Sequence, residues 1–146
     1  MGACRYDTHK KAYAYVTRVR DKRLQVLVFK HKNIPEAGIQ IPKGTVKEDE
    51  DTFSAVIREV QEETGIQRFE VEKLITEDYW ENDDGAMHKR YFYKIVCNEM
   101  ADEWEYNPTG GGEEEGITFQ FFWVSSDEEV ELIKGHADYL KMVFDE

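Results

Sequence analysis

The first patterned part of the chain alternates apolar and polar side chains. Alternation with a period of two runs through residues 13–19, and Asp21-Lys22 then leads into the apolar segment LQVLVF, residues 24–29. Such segments, joined by a short polar turn, are typical of an antiparallel hairpin. Three later segments are predicted to be strands because aromatic and β-branched residues are frequent in them: 69–75, 89–97 and 117–124.

Residues 53–64 have the spacing of a helix. Mostly apolar side chains recur there at i, i+3, i+4, i+7 and i+11, namely Phe53, Val56, Ile57, Val60 and Thr64. They cover one arc of roughly 100° on a helix, so this arc is predicted to face the core. Gly65 follows directly and is predicted to end the helix.

The C-terminal part of the chain is predicted to be helical. Ser126 followed by Glu129 has the spacing of a capping box, which predicts a short helix ending at Gly135, and residues 136–144 predict another. The glycine- and acid-rich segment 100–116 is predicted to be a mobile loop. Strands flanked by helices on both sides predict one layered α/β or α+β domain over residues 1–146.

The composition limits the class of protein and of partner. With 146 residues, 40% of them hydrophobic, the chain suffices for one core and is too short for two ordinary domains. A formal net charge of −12 argues against duplex nucleic acid, whose binding depends on Lys and Arg that neutralise phosphates. Cys4 and Cys97 have no zinc-ligand spacing, and no signal peptide or membrane span is evident. We therefore expect a cytoplasmic monomer or homodimer with reduced cysteines and no membrane partner.

The arc beside the apolar one on the 53–64 helix is acidic. Glu59, Glu62 and Glu63 lie on it, and two of them are in the last turn, where negative charge opposes the helix dipole. Like charges at i, i+4 cost about 0.2–0.5 kcal/mol per pair. One interpretation is a solvated face in a Glu-rich protein. The other is a site for Mg²⁺ or Mn²⁺, because these cations take oxygen ligands that the three carboxylates can supply together.

A longer pattern surrounds these acids. Its members are Gly44, Glu50 after five residues, Arg58-Glu59-Val60 after seven more, and Glu62-Glu63 and Gly65-Ile66 after one residue each. This stretch resembles the Nudix box, the signature of the MutT-like Nudix hydrolases, and every defined position matches. The resemblance implies an αβα sandwich with a mixed sheet between helices. It also implies Mg²⁺- or Mn²⁺-dependent hydrolysis of a phosphoanhydride bond in a small molecule, a nucleotide or nucleoside diphosphate derivative.

The resemblance also implies roles for single residues. Glu59, Glu62 and Glu63 would bind the metal, and Glu59 would also take a proton from the attacking water. Arg58 lies four residues before Glu62, the spacing of a helix ion pair, and would hold a glutamate in its ligating rotamer. The candidate catalytic residues are therefore Glu59, Glu62 and Arg58. Glu50 is either a more distant ligand or a loop anchor.

The residues just before the box differ from those of many family members. The usual Pro-Gly-Gly is replaced by Pro42-Lys43-Gly44, which resembles the branches that cleave dinucleoside polyphosphates or diphosphoinositol polyphosphates. Lys43 is predicted to contact a substrate phosphate, the alternative being a solvent-facing loop lysine. Gly44 is predicted to let backbone approach the metal or phosphate. A catalytically silent Nudix-fold binding module is the remaining alternative.

Further candidate residues lie outside the box. The acidic loop offers one more carboxylate at Glu113, Glu114 or Glu115. Four aromatic residues are candidates to stack on a base, although each is more often found in core or rim packing: Tyr79, Trp80, Trp104 and Tyr106. Five basic residues near the first hairpin either face phosphates or protect a strand edge: Arg18, Arg20, Lys30, His31 and Lys32.

Overall fold

A mixed sheet forms the centre of the computed structural model, which describes residues 9–109 and 116–145. The described strands are β1 (His9–Arg20), β2 (Arg23–His31), β3 (Lys43–Thr45), β4 (Glu70–Glu81), β5 (Met87–Val96), β6 (Glu103–Tyr106) and β7 (Phe119–Ser125). The helices are α1 (Thr52–Thr64) and α2 (Leu140–Phe144), with a 3-10 turn at Pro35–Ala37. Within these described ranges, no helix is long and apolar enough to cross a membrane.

The strand order is β4-β5-β1-β2-β7-β6, with β3 beside β1. β1 and β5 are parallel, and every other pair among the described strands is antiparallel. One edge of β1 is shared, because residues 17–20 pair with β2 while residues 11–13 pair with β3. β3 therefore lies beside the N-terminal half of β1, where β5 also begins.

The two faces of the sheet have separate apolar cores. One side of the sheet packs against Val56 and Val60 of α1, and we call it the helix face. Ala12, Ala14 and Val16 of β1 lie on this face. Tyr13 and Tyr15 point to the opposite side and pack with side chains of the C-terminal segment: Leu132, Tyr139, Leu140, Val143 and Phe144. We call this side the C-terminal face. The period-two alternation of β1 thus supplies both cores, and the expected α+β class with a mixed sheet is confirmed.

The hairpin and the three later strands are confirmed; all are longer than predicted except β7, which begins two residues later and ends one residue later. Two strands were missed. β3 is three residues long, and β6 lies inside the segment predicted to be a loop, where Trp104 and Tyr106 alternate with glutamates and pack on the helix face. The predicted loop is therefore wrong for residues 103–106, because burial of two aromatic side chains favours strand pairing with β7 there.

The predicted helix after Ser126 is also wrong. Ser125 donates from its backbone N–H and its hydroxyl to Glu128 Oε1, both at 2.8 Å, which closes a turn instead. Leu132 then forms a β-bridge with Ile39. The last helix begins only at Leu140, because the Gly135 and His136 carbonyl oxygens accept hydrogen bonds from side chains of the sheet.

Helix α1 is confirmed, and its capping has a clear cause. The Asp51 carboxylate accepts from the Ser54 N–H at 2.7 Å, and Gly65 ends the helix at φ +81°. The predicted buried arc needs one correction, because Phe53 is 51% exposed whereas Ala55 is fully buried. The buried arc is rotated toward the acidic side chains, so two of the glutamates face the sheet.

Candidate active site

Two of the three box glutamates are buried between α1 and β3. Glu59 is 8% exposed and Glu63 is 4% exposed. Gly44 of β3 lies directly against Glu59, since a Cβ atom at residue 44 would be 1.9 Å from Glu59 Cδ. The absence of a side chain at Gly44 thus makes room for a carboxylate. The approach of its backbone to a metal or phosphate stays a prediction.

Arg58 joins the acidic side chains of the helix to the preceding loop. Its Nη1 donates to Glu59 Oε1 at 2.7 Å and to Glu62 Oε1 at 3.1 Å. Its Nε and Nη2 donate to the two oxygens of Glu50, both at 2.8 Å, and Nη2 also donates to the Thr45 carbonyl oxygen at 3.1 Å. One guanidinium is therefore shared by three carboxylates, which fixes their mutual positions.

Glu50 is tied to the loop as well as to Arg58. The Lys47 N–H donates to its Oε1 at 3.0 Å. The hydrogen bonds from Arg58, together with that N–H, lower the pKa of Glu50 to about 2. Its geometry is that of a loop anchor for Arg58, and its assignment as a distant metal ligand stays a prediction.

Lys43 and Gly44 are neighbours that point to opposite faces. The Lys43 N–H donates to Glu63 Oε1 at 3.2 Å, so its backbone is on the acidic side. Its side chain lies on the C-terminal face, with Nζ 5.7 Å from the centroid of the Tyr13 ring. The backbone of Lys43 therefore contacts the acidic helix, whereas its ammonium lies on the C-terminal face.

Positive charge gathers where β1 and β5 begin. Parallel pairing places His9, Lys10 and Lys11 beside His88, Lys89 and Arg90; we call these six residues and Lys43 the basic end. The Lys11 ammonium donates to Thr45 Oγ1 at 2.7 Å, and the charge of Glu59 partly offsets the lowering of its pKa by burial. Burial, and then the charges of Lys11, Lys43 and His9, lower the pKa of His88. The basic end thus adjoins the buried glutamates.

Sequence reasoning missed most of the basic end and favoured other cations. Arg18 and Arg20 bind Asp102 at 2.7 and 2.9 Å, and Lys32 binds Glu105 at 3.1 Å. The signal was present, however, because two basic tripeptides, 9–11 and 88–90, stand near the starts of two predicted strands. Only the parallel register brings them together.

The four candidate aromatic residues have different surroundings. Trp104 Nε1 donates to the Thr64 carbonyl oxygen at 2.9 Å, and Tyr106 packs against Gly65, so both support the end of α1. Trp80 stacks on the Arg90 guanidinium, 4.9 Å from its ring centroid. Tyr79 is 64% exposed and lies 5.4 Å from Lys89 Nζ. Tyr79 is thus the most exposed of the four.

The acidic loop contributes only its beginning to the described structure. The Thr109 N–H donates to the Glu62 carbonyl oxygen at 2.8 Å, which satisfies one acceptor of the last turn of α1. Glu113, Glu114 and Glu115 lie outside the described residues.

The model of the family described as NUDIX domain matches residues 8–145. The chain belongs to the Nudix family. Together with its hydrolase relatives, this match identifies it as a Nudix hydrolase acting on acid anhydrides in phosphorus-containing compounds. The predicted family and enzyme class are therefore confirmed.

Similar curated proteins are named for an inositol substrate. The chain is 24% identical over 136 residues to human diphosphoinositol polyphosphate phosphohydrolase 3-alpha, covering 90% of this chain and 76% of that protein. It is 25% identical to mouse diphosphoinositol polyphosphate phosphohydrolase 2, covering 90% and 69%.

Solved structures share the Nudix fold. The Caenorhabditis elegans Ap4A hydrolase is 20% identical with a TM-score of 0.61, covering 92% of this chain and 90% of that one. The NUDIX domain of Shewanella oneidensis NrtR, complexed with ADP ribose, is 14% identical with a TM-score of 0.69, covering 99% and 92%. At these identities the likeness supports the fold alone.

Nudix hydrolases generally use divalent metal ions, and the donor set of α1 has suitable chemistry. Carboxylate oxygens are preferred ligands of hard cations, and three carboxylates around one guanidinium leave negative charge for a cation to offset. Within the described residues, however, no group of three or more candidate ligands is arranged around a common point. Glu59 and Glu62 instead turn an oxygen each toward Arg58.

Proposed function

We propose that this Nudix hydrolase cleaves a phosphoanhydride bond in a densely phosphorylated small molecule, with Mg²⁺ or Mn²⁺ as cofactor. One observation carries the proposal: the basic end adjoins the acidic side chains of α1. Lys11 contacts Thr45, whose carbonyl oxygen accepts from Arg58, and the Lys43 N–H donates to Glu63. A protein of net charge −12 repels polyanions overall. Local cations beside the acidic helix are therefore needed to hold such a substrate.

Glu59, Glu62 and Glu63 would hold the metal ion. When bound, the ion neutralises phosphate charge and lowers the pKa of a coordinated water. Glu59 would take the proton of the attacking water. Arg58 would orient Glu59 and Glu62 through the hydrogen bonds it already makes to both, at 2.7 and 3.1 Å.

Among densely phosphorylated molecules, a diphosphoinositol polyphosphate is the first candidate substrate. Its phosphates surround a compact ring, so it needs several cations at fixed positions rather than an aromatic platform. The basic end offers cations on both faces of the sheet, with Lys10 and Lys89 on the helix face and Lys11 and Lys43 on the other. The names of the curated relatives agree with this substrate class.

A dinucleoside polyphosphate is the second candidate, and Tyr79 favours it. Tyr79 is exposed, it lies on the helix face with α1, and Lys89 Nζ is near its ring. An exposed tyrosine beside a cation can stack on a base whose phosphates reach the acidic helix. The Pro42-Lys43-Gly44 sequence resembles this branch equally well.

A substrate panel tests the proposal. The purified protein is assayed with and without about 5 mM Mg²⁺. The substrates are nucleoside triphosphates, nucleoside diphosphate derivatives, dinucleoside polyphosphates and diphosphoinositol polyphosphates. We expect metal-dependent hydrolysis, followed as orthophosphate, pyrophosphate or nucleotide according to the substrate, and fastest with the last class. Glu59→Gln should lower kcat by about 10²–10⁴-fold, whereas the control Glu129→Gln, at an exposed position, should not.

The panel also separates the two substrates. Tyr79→Ala should raise KM for a dinucleoside polyphosphate and leave a diphosphoinositol polyphosphate unaffected. Metal-independent turnover, or turnover that Glu59→Gln leaves intact, would contradict the proposed assignment of the acidic helix.

A further inference from the structure

A hydrogen bond on the C-terminal face holds the segment that leads into the acidic site. The Ile41 N–H donates to His136 Nδ1 at 3.0 Å, and both residues are almost fully buried. The next residue, Pro42, accepts from the Ala14 N–H at 2.9 Å. The chain at residues 41–42 is thus fixed from two sides just before Lys43 and Gly44.

His136 is itself held firmly. Its carbonyl oxygen accepts from the Tyr15 hydroxyl at 2.7 Å, and the Tyr15 oxygen accepts from the Tyr139 N–H at 3.2 Å. The preceding Gly135 carbonyl oxygen accepts from Arg90 Nη1 at 3.2 Å. The imidazole therefore occupies a position set by the sheet.

The imidazole is neutral and accepts through Nδ1. Burial, and then the charges of Lys43 and Arg90, lower the pKa of His136 to about 3. A neutral imidazole that accepts at Nδ1 carries its proton on Nε2, and this buried nitrogen has no hydrogen-bond partner among the described residues.

We propose that His136 is a positioning residue of the active site, acting through Ile41 on the Pro42-Lys43-Gly44 segment. In that segment the Lys43 N–H donates to Glu63, and Gly44 leaves room for the Glu59 carboxylate. A side chain on one face of the sheet thus sets the position of two carboxylates on the other. The inference rests on the proposed function, because the carboxylates are those assigned to metal binding.

The test compares two replacements of His136. His136→Phe keeps a ring and removes the acceptor, whereas His136→Asn keeps an acceptor at the δ position. We expect His136→Phe to speed amide hydrogen exchange of Ile41 by at least about tenfold and to lower kcat about 10–100-fold with a smaller change in KM. His136→Asn should restore both values to within about threefold of wild type. Amide resonances of Lys43 and Gly44 should shift with His136→Phe.

The control is His31→Phe, since His31 also has an unpartnered Nδ1 but packs on Phe29 and Phe119. Unchanged Ile41 exchange and unchanged Lys43 and Gly44 resonances in folded His136→Phe would overturn the inference. If that variant does not fold, Tyr15→Phe removes one bond that fixes His136, and Ile41 exchange equal to wild type would overturn it. Absence of turnover in wild type would defeat the proposed function alone, because the exchange measurements need no substrate.

Discussion

Each face of the sheet contains an arginine bound to carboxylates, and the two clusters differ in how far the arginine is exposed to solvent. Arg58 on the helix face binds Glu50, Glu59 and Glu62, and its side chain is 21% exposed. Arg90 on the C-terminal face binds Asp78 and Asp138, and its side chain is 2% exposed. Both clusters have more carboxylates than cations, but the first arginine is partly exposed to solvent whereas the second is buried.

The enclosed cluster shows what a structural ion pair needs. Arg90 makes two hydrogen bonds to Asp78, at 2.8 and 2.6 Å, and Nη1 donates to the Gly135 carbonyl oxygen. The Tyr139 hydroxyl donates to the same aspartate. The Arg90 guanidinium lies 4.9 Å from the centroids of Trp80 and Phe92. Each nitrogen of the guanidinium donates a hydrogen bond here, so the cluster holds the C-terminal segment against the sheet and leaves little of the arginine for a ligand.

Removal of Arg90 should have the largest effect on stability. Arg90→Met leaves Asp78 and Asp138 without their cation, and loss of one partner of a buried pair costs about 3–5 kcal/mol. Chemical denaturation measures this change. The control Arg23→Met removes an exposed pair with Asp127, which should cost about 0–1 kcal/mol. If Arg90→Met lowers the free energy of unfolding by less than about 1 kcal/mol, the cluster does not hold the C-terminal segment in place.

The acidic cluster should respond in the opposite way. Glu62→Gln removes one negative charge, so the free energy of unfolding should stay within about 0.5 kcal/mol of wild type. Metal-dependent turnover should fall by about 10²-fold or more, which equals about 2.7 kcal/mol of activation free energy. Denaturation and initial-rate assays on the same preparation give both values. A destabilised but fully active variant would make Glu62 structural.

Gly44→Ala should affect both properties of the acidic cluster. The added methyl would lie 1.9 Å from Glu59 Cδ, so the carboxylate must move. Overpacking of this kind costs about 1–3 kcal/mol. Turnover should fall as well, whereas Gly85→Ala, where a Cβ meets no atom within 4 Å, should leave turnover unchanged although its φ of +86° strains alanine. Full activity of Gly44→Ala would show that Glu59 tolerates displacement.

Acid should weaken the two faces in different pH windows. Folding lowers the pKa of His136 to about 3 from 6.5, so the unfolded state binds more protons and stability falls as pH falls through that interval. Folding lowers the pKa of Glu50 to about 2 from 4.5, which gives the same sign at lower pH. Denaturation at pH 6.5 to 4.5 should therefore show a slope that His136→Asn reduces by at most about 1.4 kcal/mol per pH unit. An equal slope in both proteins would contradict the low pKa of His136.

Helix α1 and its acids could be predicted because their signals are local. The apolar spacing from Val56 to Val60, the stop at Gly65 and the box glutamates lie within one short segment. The rotation of the helix could not be predicted, since burial of Glu59 depends on the missing side chain of Gly44 in a separate strand. Local periodicity indicates a helix, and tertiary packing selects its buried arc.

The remaining errors have the same cause. Lys43–Thr45 is too short to show a period, and it becomes a strand only by pairing with β1. Asp78, Arg90 and Asp138 lie in separate parts of the sequence, and nothing local relates them. The turn at Ser125 competes with a helix start through the same Ser–Glu chemistry that caps helices.

The parallel pairing of β1 with β5 has a consequence for folding kinetics. The β1–β2 and β4–β5 hairpins close short loops, whereas the β1–β5 register joins His9 to His88 across about half of the chain. Such long-range pairing is slow to form because loop closure must come first. The basic end therefore exists only after the two hairpins have docked. We expect a bound polyanion to slow unfolding and to leave the folding rate nearly unchanged.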